Sequence, residues 1–321
     1  MTGIATPPLT VVVISYNTRD LTLAALQTLF DTTIETAMHV VVFDNASTDG
    51  SADAVARAFP QAELIRSEHN LGFARANNVV AETVRTEWML LLNPDTECHD
   101  GAVDNLMRFA RETPEAGIWG GRTVFRDGSL NIASCWMRIT PRSMVTWAFG
   151  LSALFPASEF FTPEAMGGWR RDTVREVDIV VGCLFLIRKA LWDELGGFDL
   201  KYFMYGEEAD LCLRAQAMGY QPMVTPDAEI MHLVGAAALS RADKMPSVFK
   251  ARATLIRDHW PAWQVPFGLG LLWFGVGVRS LAGKLIGRMR PDASETYIRL
   301  WRDRADWMAG YKASDRHWDG P

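Results

Sequence analysis

A chain of 321 residues has room for one large domain, or for one domain with a modest appendage, and with 49% hydrophobic and 22% charged residues it can bury a sizeable core. The net charge of −6 argues against nucleic acid as a partner, because phosphate backbones reward clustered excess Lys and Arg. Four scattered cysteines, Cys98, Cys135, Cys183 and Cys212, form no CxxC pair, which disfavours a zinc cage or disulfide frame and fits reduced thiols in the cytoplasm.

The start, MTGIATPPLT, shows no basic region followed by an apolar stretch, so the sequence predicts no signal peptide. Thr10–Ser15 and Val40–Asp44 are short β-branched runs ending in polar residues, the pattern of buried parallel strands. Leu21–Phe30 reads as a helix with Thr18 or Asn17 as N-cap; Ser51–Phe59 and Phe73–Val84 read as two more. Trp88–Leu92 (WMLLL) is another buried strand. This β-α-β-α order predicts a doubly wound α/β sheet with helices on both faces, whose ligands bind beyond the carboxyl ends of the strands. From Arg126 to about Arg175 the pattern loosens, with Pro141, Pro156 and Pro163 among aromatic residues. Val177–Arg188 (VDIVVGCLFLIR) then reads as strand, Glu207–Met218 as a helix, and Asp243–His259 as a helix with Pro246 near its first turn.

Polar clusters stand where those strands and helices end. Asp44-Asn45-Ala46-Ser47-Thr48-Asp49-Gly50-Ser51 could present a carboxylate to a pyrimidine N–H, and it is equally good composition for a plain Asx turn. In Asn70-Leu71-Gly72-Phe73-Ala74-Arg75, Arg75 falls on the first helical turn, where its planar fork could grip a base or phosphate or simply face solvent. Asn93-Pro94-Asp95 follows the WMLLL strand and offers two oxygen-bearing side chains to a cation, or a Pro-containing turn. Glu207, Glu208 and Asp210 open a helix whose dipole favours negative charge there, an enrichment that also occurs without catalysis. His232 closes an apolar strand-like piece, as a metal ligand or as a structural histidine.

The segments VVVISYN, DNASTDGS, NLGFARANN, LLNPDTE and GGFDLKYFMYGEEADLCLRA, followed by His232, occur in that order. Together they resemble the large inverting glycosyltransferase family 2 from about Thr10 to His259. The resemblance implies an α/β GT-A fold: a Rossmann-like, doubly wound mixed sheet with flanking helices and a C-terminal helical tail. By the same resemblance Ser15, Tyr16 and Asn17 line the nucleotide pocket, Asp44 reads the base beside Asn45, and Arg75 helps hold the donor. Asn93 and Asp95 stand at the diphosphate, with Asp95 the principal ligand of Mg2+ or Mn2+ and His232 near that metal. The acidic pair Glu207 and Glu208 supplies the catalytic base. Two departures matter. Relatives commonly carry Asp-x-Asp where this chain has Asn93-Pro94-Asp95, a variant frequent among rhamnosyl- and galactofuranosyltransferases; it tilts the expected donor toward dTDP-L-rhamnose, with UDP-galactofuranose or another UDP-sugar as the alternative. Glu208 stands where Asp is commoner, which leaves open whether Glu207 or Glu208 reaches the acceptor.

The expected division is a catalytic domain over residues 1–258 and a helical region over 259–321. Pro261–Val278 has no charged residue, but Gln264, Pro266 and four glycines argue against a regular spanning helix. Arg279–Arg290 reads as a separate basic amphipathic helix, an interfacial anchor on the inner face of the plasma membrane; contact with the catalytic domain or a second subunit is the other outcome. A lipid-linked saccharide acceptor in surface polysaccharide assembly fits that placement, and the aromatic insert Trp147–Phe161 is a candidate acceptor wall. Two rivals are a nucleotidyltransferase, disfavoured because ISYNTRD lacks a Gly-rich basic loop, and a non-catalytic sugar-nucleotide-binding scaffold, disfavoured by the full acidic set.

Overall fold

A computed structural model of the chain describes residues 7–233, 241–286 and 291–313. Elements alternate through the first half: β1 (Leu9–Ser15), α1 (Arg19–Thr32), β2 (Met38–Asp44), α2 (Ser51–Ala58), β3 (Glu63–Arg66), α3 (Gly72–Thr83), β4 (Trp88–Leu92), β5 (Thr96–Cys98) and α4 (Ala102–Glu112). The middle holds β6 (Ile118–Val124), β7 (Leu130–Asn131), β8 (Cys135–Trp136), α5 (Pro141–Ala148), α6 (Leu151–Leu154), β9 (Arg175–Glu176), β10 (Ile179–Val180), β11 (Leu184–Arg188) and α7 (Lys189–Leu195). Then follow α8 (Glu207–Ala217), β12 (Met223–His232), α9 (Arg241–His259), α10 (Val265–Ile286), α11 (Pro291–Arg302) and α12 (Arg304–Ala309).

The main sheet runs β3-β2-β1-β4-β11-β6-β12-β5. β3, β2, β1 and β4 are mutually parallel, and β11 lies antiparallel between β4 and β6, so the sheet is mixed as expected. Every residue of β1 and β4 is buried, because helices cover both faces. The two-residue alternation of a strand decides which face each side chain serves. Val11, Val13 and Leu90 pack under α1, α2 and α4, whereas Val12, Ile14 and Leu91 pack against α3, α7 and α8.

A third core joins α5, α9, α10, α11 and α12 around Phe249, Ile256, Leu272, Val276, Leu300 and Trp307. The stretch from Pro261 differs from the sequence expectation. One helix, α10, runs through Val265–Ile286 instead of an interrupted segment followed by a new one. Its glycines are seats for indole rings: a Cβ on Gly268, Gly275 or Gly277 would come within 2.7, 2.3 or 2.8 Å of Trp260, Trp147 or Trp301. Arg279, expected on a basic lipid-facing stripe, instead stacks on Trp147 and donates to the Trp147, Ala148 and Gly275 carbonyls. Lys284 of that stripe is exposed, while Arg288 and Arg290 lie outside the described residues, as do Met1–Thr6 and Val234–Gly235.

Candidate active site

The carboxyl ends of β1, β2 and β4 form one rim. Ser15 pairs with Asp44 in register, and Val12 pairs with Leu91. Counted three residues on along the same register, Asp44 stands level with Pro94, so the base-reading candidate and the Asn93–Asp95 turn share an edge.

The loops at that edge are tied by side chains. Asn17, held at φ +52°, donates its backbone N–H to the Ser47 hydroxyl and accepts from the Thr48 N–H at 2.8 Å. The Asn45 carbonyl oxygen accepts from the Leu71 N–H at 2.7 Å, and its amide donates to Asn70. The Ser15 hydroxyl is buried between those of Thr18 and Thr22. Thr18 flanks the start of α1 but makes no side-chain cap hydrogen bond, and the Arg19 N–H donates to Asp49. Ser15, Asn17 and Asn45 thus spend their side chains on the scaffold of the rim. Tyr16 is exposed there, and Arg75 is half-buried on the first turn of α3. Asp44 accepts from the Ser47 N–H through Oδ2, while its buried Oδ1 has no protein partner.

Asp95 and His232 come together through strand pairing. β12 runs antiparallel to β5 with His232 opposite Thr96, and the Leu233 N–H donates to the Asp95 carbonyl at 3.0 Å. This sets His232 Nε2 3.4 Å from Asp95 Oδ1. Burial works against a charged imidazole, but hydrogen bonds to Asp95 and Cys183 outweigh it and push His232 up to about 10. Its Nδ1 is buried without a partner. Among the described residues no three His, Cys, Asp or Glu side chains gather as a metal cage. One carboxylate and one imidazole suit a divalent cation only where phosphate oxygens complete its shell.

Glu207 and Glu208 open α8 behind Gly206, whose φ of +98° begins the helix close against α9 and Tyr202. Burial, then the Glu208 charge, hold Glu207 well above the ordinary carboxylate range, and its Oε2 has no partner. Glu208 is also raised by burial, partly offset by its own backbone N–H and that of Gly182, which donates to Oε1 at 3.3 Å. A cavity of about 350 Å3 opens beside Glu208, lined by Trp136, Ile139, Ile179, Val181 and Tyr205. The ion pair of Arg252 and Glu164, with contacts of 2.8 and 3.0 Å, stands in its wall. Asp210, the third acid of that turn, is a brace: it accepts from Arg214 at 2.7 Å and bonds His259 at 2.9 Å, and Arg214 reaches on to the Leu195 and Gly197 carbonyls.

The two ends of the site meet at Gly182-Cys183. The expected strand Val177–Arg188 is broken there into β10 and β11. The Gly182 N–H faces Glu208, the Cys183 carbonyl accepts from the Asn93 N–H at 3.3 Å, and the Cys183 side chain lies beside His232, where it helps to raise that histidine's proton affinity. A Cβ on Gly182 would sit 3.2 Å from Phe73 and 3.3 Å from Glu208. These two residues were missed as part of the site; the signal was an isolated glycine inside a strand pattern, which often marks a close backbone approach.

The glycosyl transferase family 2 model matches residues 10–193, more than half of the chain. The chain belongs to glycosyltransferase family 2. This glycosyltransferase is 28% identical over 213 residues to the N-acetylglucosaminyl-diphospho-decaprenol L-rhamnosyltransferase of Mycobacterium tuberculosis, a match covering 62% of this chain and 67% of that protein. It is 25% identical over 172 residues to the rhamnosyltransferase WbbL of Escherichia coli, covering 50% and 60% respectively. The mannosyltransferase PcManGT from Pyrobaculum calidifontis, solved in complex with GDP-Man and Mn2+, aligns with a TM-score of 0.56 over 99% of this chain and 89% of that one, at 20% identity. That likeness shows the shared GT-A fold. The family resemblance seen in the ordered motifs is therefore correct, and Gly182-Cys183 touches both Asn93 and Glu208, which lie more than a hundred residues apart in this enzyme.

Proposed function

We propose that this glycosyltransferase moves a sugar from a nucleoside diphosphate onto a hydroxyl of a saccharide or lipid-linked saccharide, with inversion at the sugar carbon. The observation that carries this is the meeting of the Asn93–Asp95 turn, His232 and Glu208 at Gly182-Cys183, beside a cavity large enough for an acceptor group.

Glu208 is the general base. Burial raises its proton affinity and so strengthens it as the group that takes the acceptor hydroxyl proton, as the oxygen attacks the anomeric carbon from the face opposite the leaving diphosphate. The free Oδ1 of Asp44 accepts from the base, Tyr16 flanks it, and Arg75 steadies the donor. Ser15, Asn17 and Asn45 hold the loops that carry these groups. Asp95 would hold Mg2+ or Mn2+, and His232 would join it only on giving up the proton it shares with Asp95. Bound there, a divalent ion offsets the negative charge that builds on the leaving diphosphate. Asn93 lowers the negative charge of that site by one relative to Asp-x-Asp.

The donor proposed is dTDP-L-rhamnose, ahead of UDP-linked sugars; it is supported by the Asn93 variant and by the names of two relatives. The name of the mycobacterial relative also supports a lipid-linked acceptor, and with it a place for the enzyme at the inner face of the plasma membrane. The test is acceptor-dependent release of nucleoside diphosphate from dTDP-L-rhamnose, UDP-galactofuranose and UDP-glucose with Mn2+ present, with the product's anomeric configuration read by NMR. Pyrophosphate among the products, or a retained configuration, would overturn the proposal.

A further inference from the structure

α10 presents two faces of opposite fate. The inner one is locked by indoles: Trp260, Trp147 and Trp301 occupy the space over Gly268, Gly275 and Gly277, and Leu272 and Val276 are completely buried. The outer one carries Phe267, Phe274, Val278, Leu281 and Leu285 at helical spacing, all exposed. Phe149, itself exposed at the end of α5, packs on Phe274 with ring centroids 5.3 Å apart and widens the stripe.

Length and composition would let Val265–Leu285 cross a bilayer, yet crossing would strip the helix from the three indoles that seat it. A helix fixed along one side and apolar along the other suits the boundary between headgroups and acyl chains. Charge points the same way. No acidic residue occurs between Pro261 and Arg290, and exposed Lys284 edges a groove of about 360 Å3 walled by Trp273, Trp301 and Leu281. Indoles beside a cationic tip are what the headgroup level of a membrane accommodates. A homodimer through the same stripe would find no acidic counterpart to Lys284 anywhere along the helix.

We infer that the outer face of α10, from Phe267 to Leu285, docks in the plane of an anionic lipid surface, with Lys284 at the headgroups. This deepens the membrane placement proposed above: it keeps Leu281, Lys284 and Leu285 of the segment expected from sequence, adds Phe267, Phe274 and Val278, and leaves out Arg279. It is read by binding rather than by turnover, so it can fail while the donor and base assignments stand, and the reverse.

The full chain should co-float with vesicles of phosphatidylcholine and phosphatidylglycerol in equal parts, and more weakly with phosphatidylcholine alone. The double variant Phe274→Glu, Leu281→Glu should cut the bound fraction at least about tenfold while keeping the wild-type circular dichroism melt. All four native cysteines are buried, so Phe267→Cys, Phe274→Cys and Leu285→Cys each give one accessible thiol for an environment-sensitive label. In-plane docking predicts equal quenching of the three labels by a shallow nitroxide lipid. A deep middle label between two shallow ends would mean a spanning helix and overturn the inference. So would absence of flotation, or a dimer by light scattering that the glutamate pair dissociates.

Discussion

Between β1 and β4 the protein ties loop to loop with amides and hydroxyls, whereas between α5 and α12 it seats indoles against glycines. At the rim, Asn17, Asn45 and Asp49 each satisfy a backbone N–H from another loop, and Asp44 Oδ1, His232 Nδ1 and Glu207 Oε2 remain buried without protein partners. In the helical cluster, contact is by shape, with indoles on Gly268, Gly275 and Gly277. The contrast teaches where each region is vulnerable. Directional bonds hold a few groups in place without filling space, so changes there should strike binding and turnover. Close packing stores its free energy in fit, so changes there should strike stability.

The sharpest way to break that contrast is Glu208→Gln. Turnover should fall about 10²–10⁴-fold, the range for loss of a general base, with donor affinity and melting temperature near wild type. Wild-type turnover in Glu208→Gln would refute Glu208 as the base, and wild-type turnover in Glu207→Gln as well would remove the acidic pair from that role. Next in size, Asp95→Ala should weaken Mn2+-dependent donor binding at least about tenfold; calorimetry showing unchanged affinity would remove Asp95 from the metal site.

Gly275→Ala tests the other region. Its Cβ must displace the Trp147 ring, at a cost of about 1–3 kcal/mol in stability, with donor affinity retained; an unchanged melting temperature would mean the indole seat is looser than the packing implies. The smallest effect crosses the two regions. The folded proton affinity of Glu207 is raised, so the native state holds a proton that the unfolded chain has already released, and stability falls as pH rises from the ordinary carboxylate range through the folded value. Glu207→Gln should therefore stabilise the protein at neutral pH by on the order of 1 kcal/mol, and the gain should vanish near pH ~4, below the usual glutamate value. Melting curves at the two pH values decide it. A gain that persists in acid would point to packing instead of charge.

Much was legible along the chain. The apolar runs of β1, β2 and β4, the helices α1 to α3, and the acidic opening of α8 lie where periodicity and turn residues put them, because those signals act between close neighbours in sequence. The order of the polar motifs was enough for the family. What each polar group would touch was not. Ser15 turned out to serve Thr18 and Thr22, and Asn45 to hold the loop at Leu71. Arg279 was drawn onto a carbonyl 132 residues away, and Gly182-Cys183 became the junction of the site through a strand break that looked continuous. Only the tertiary fold decided these, since a hydroxyl, an amide or a guanidinium bonds whatever the tertiary structure brings within about 3 Å, and separation along the chain sets no limit on that partner.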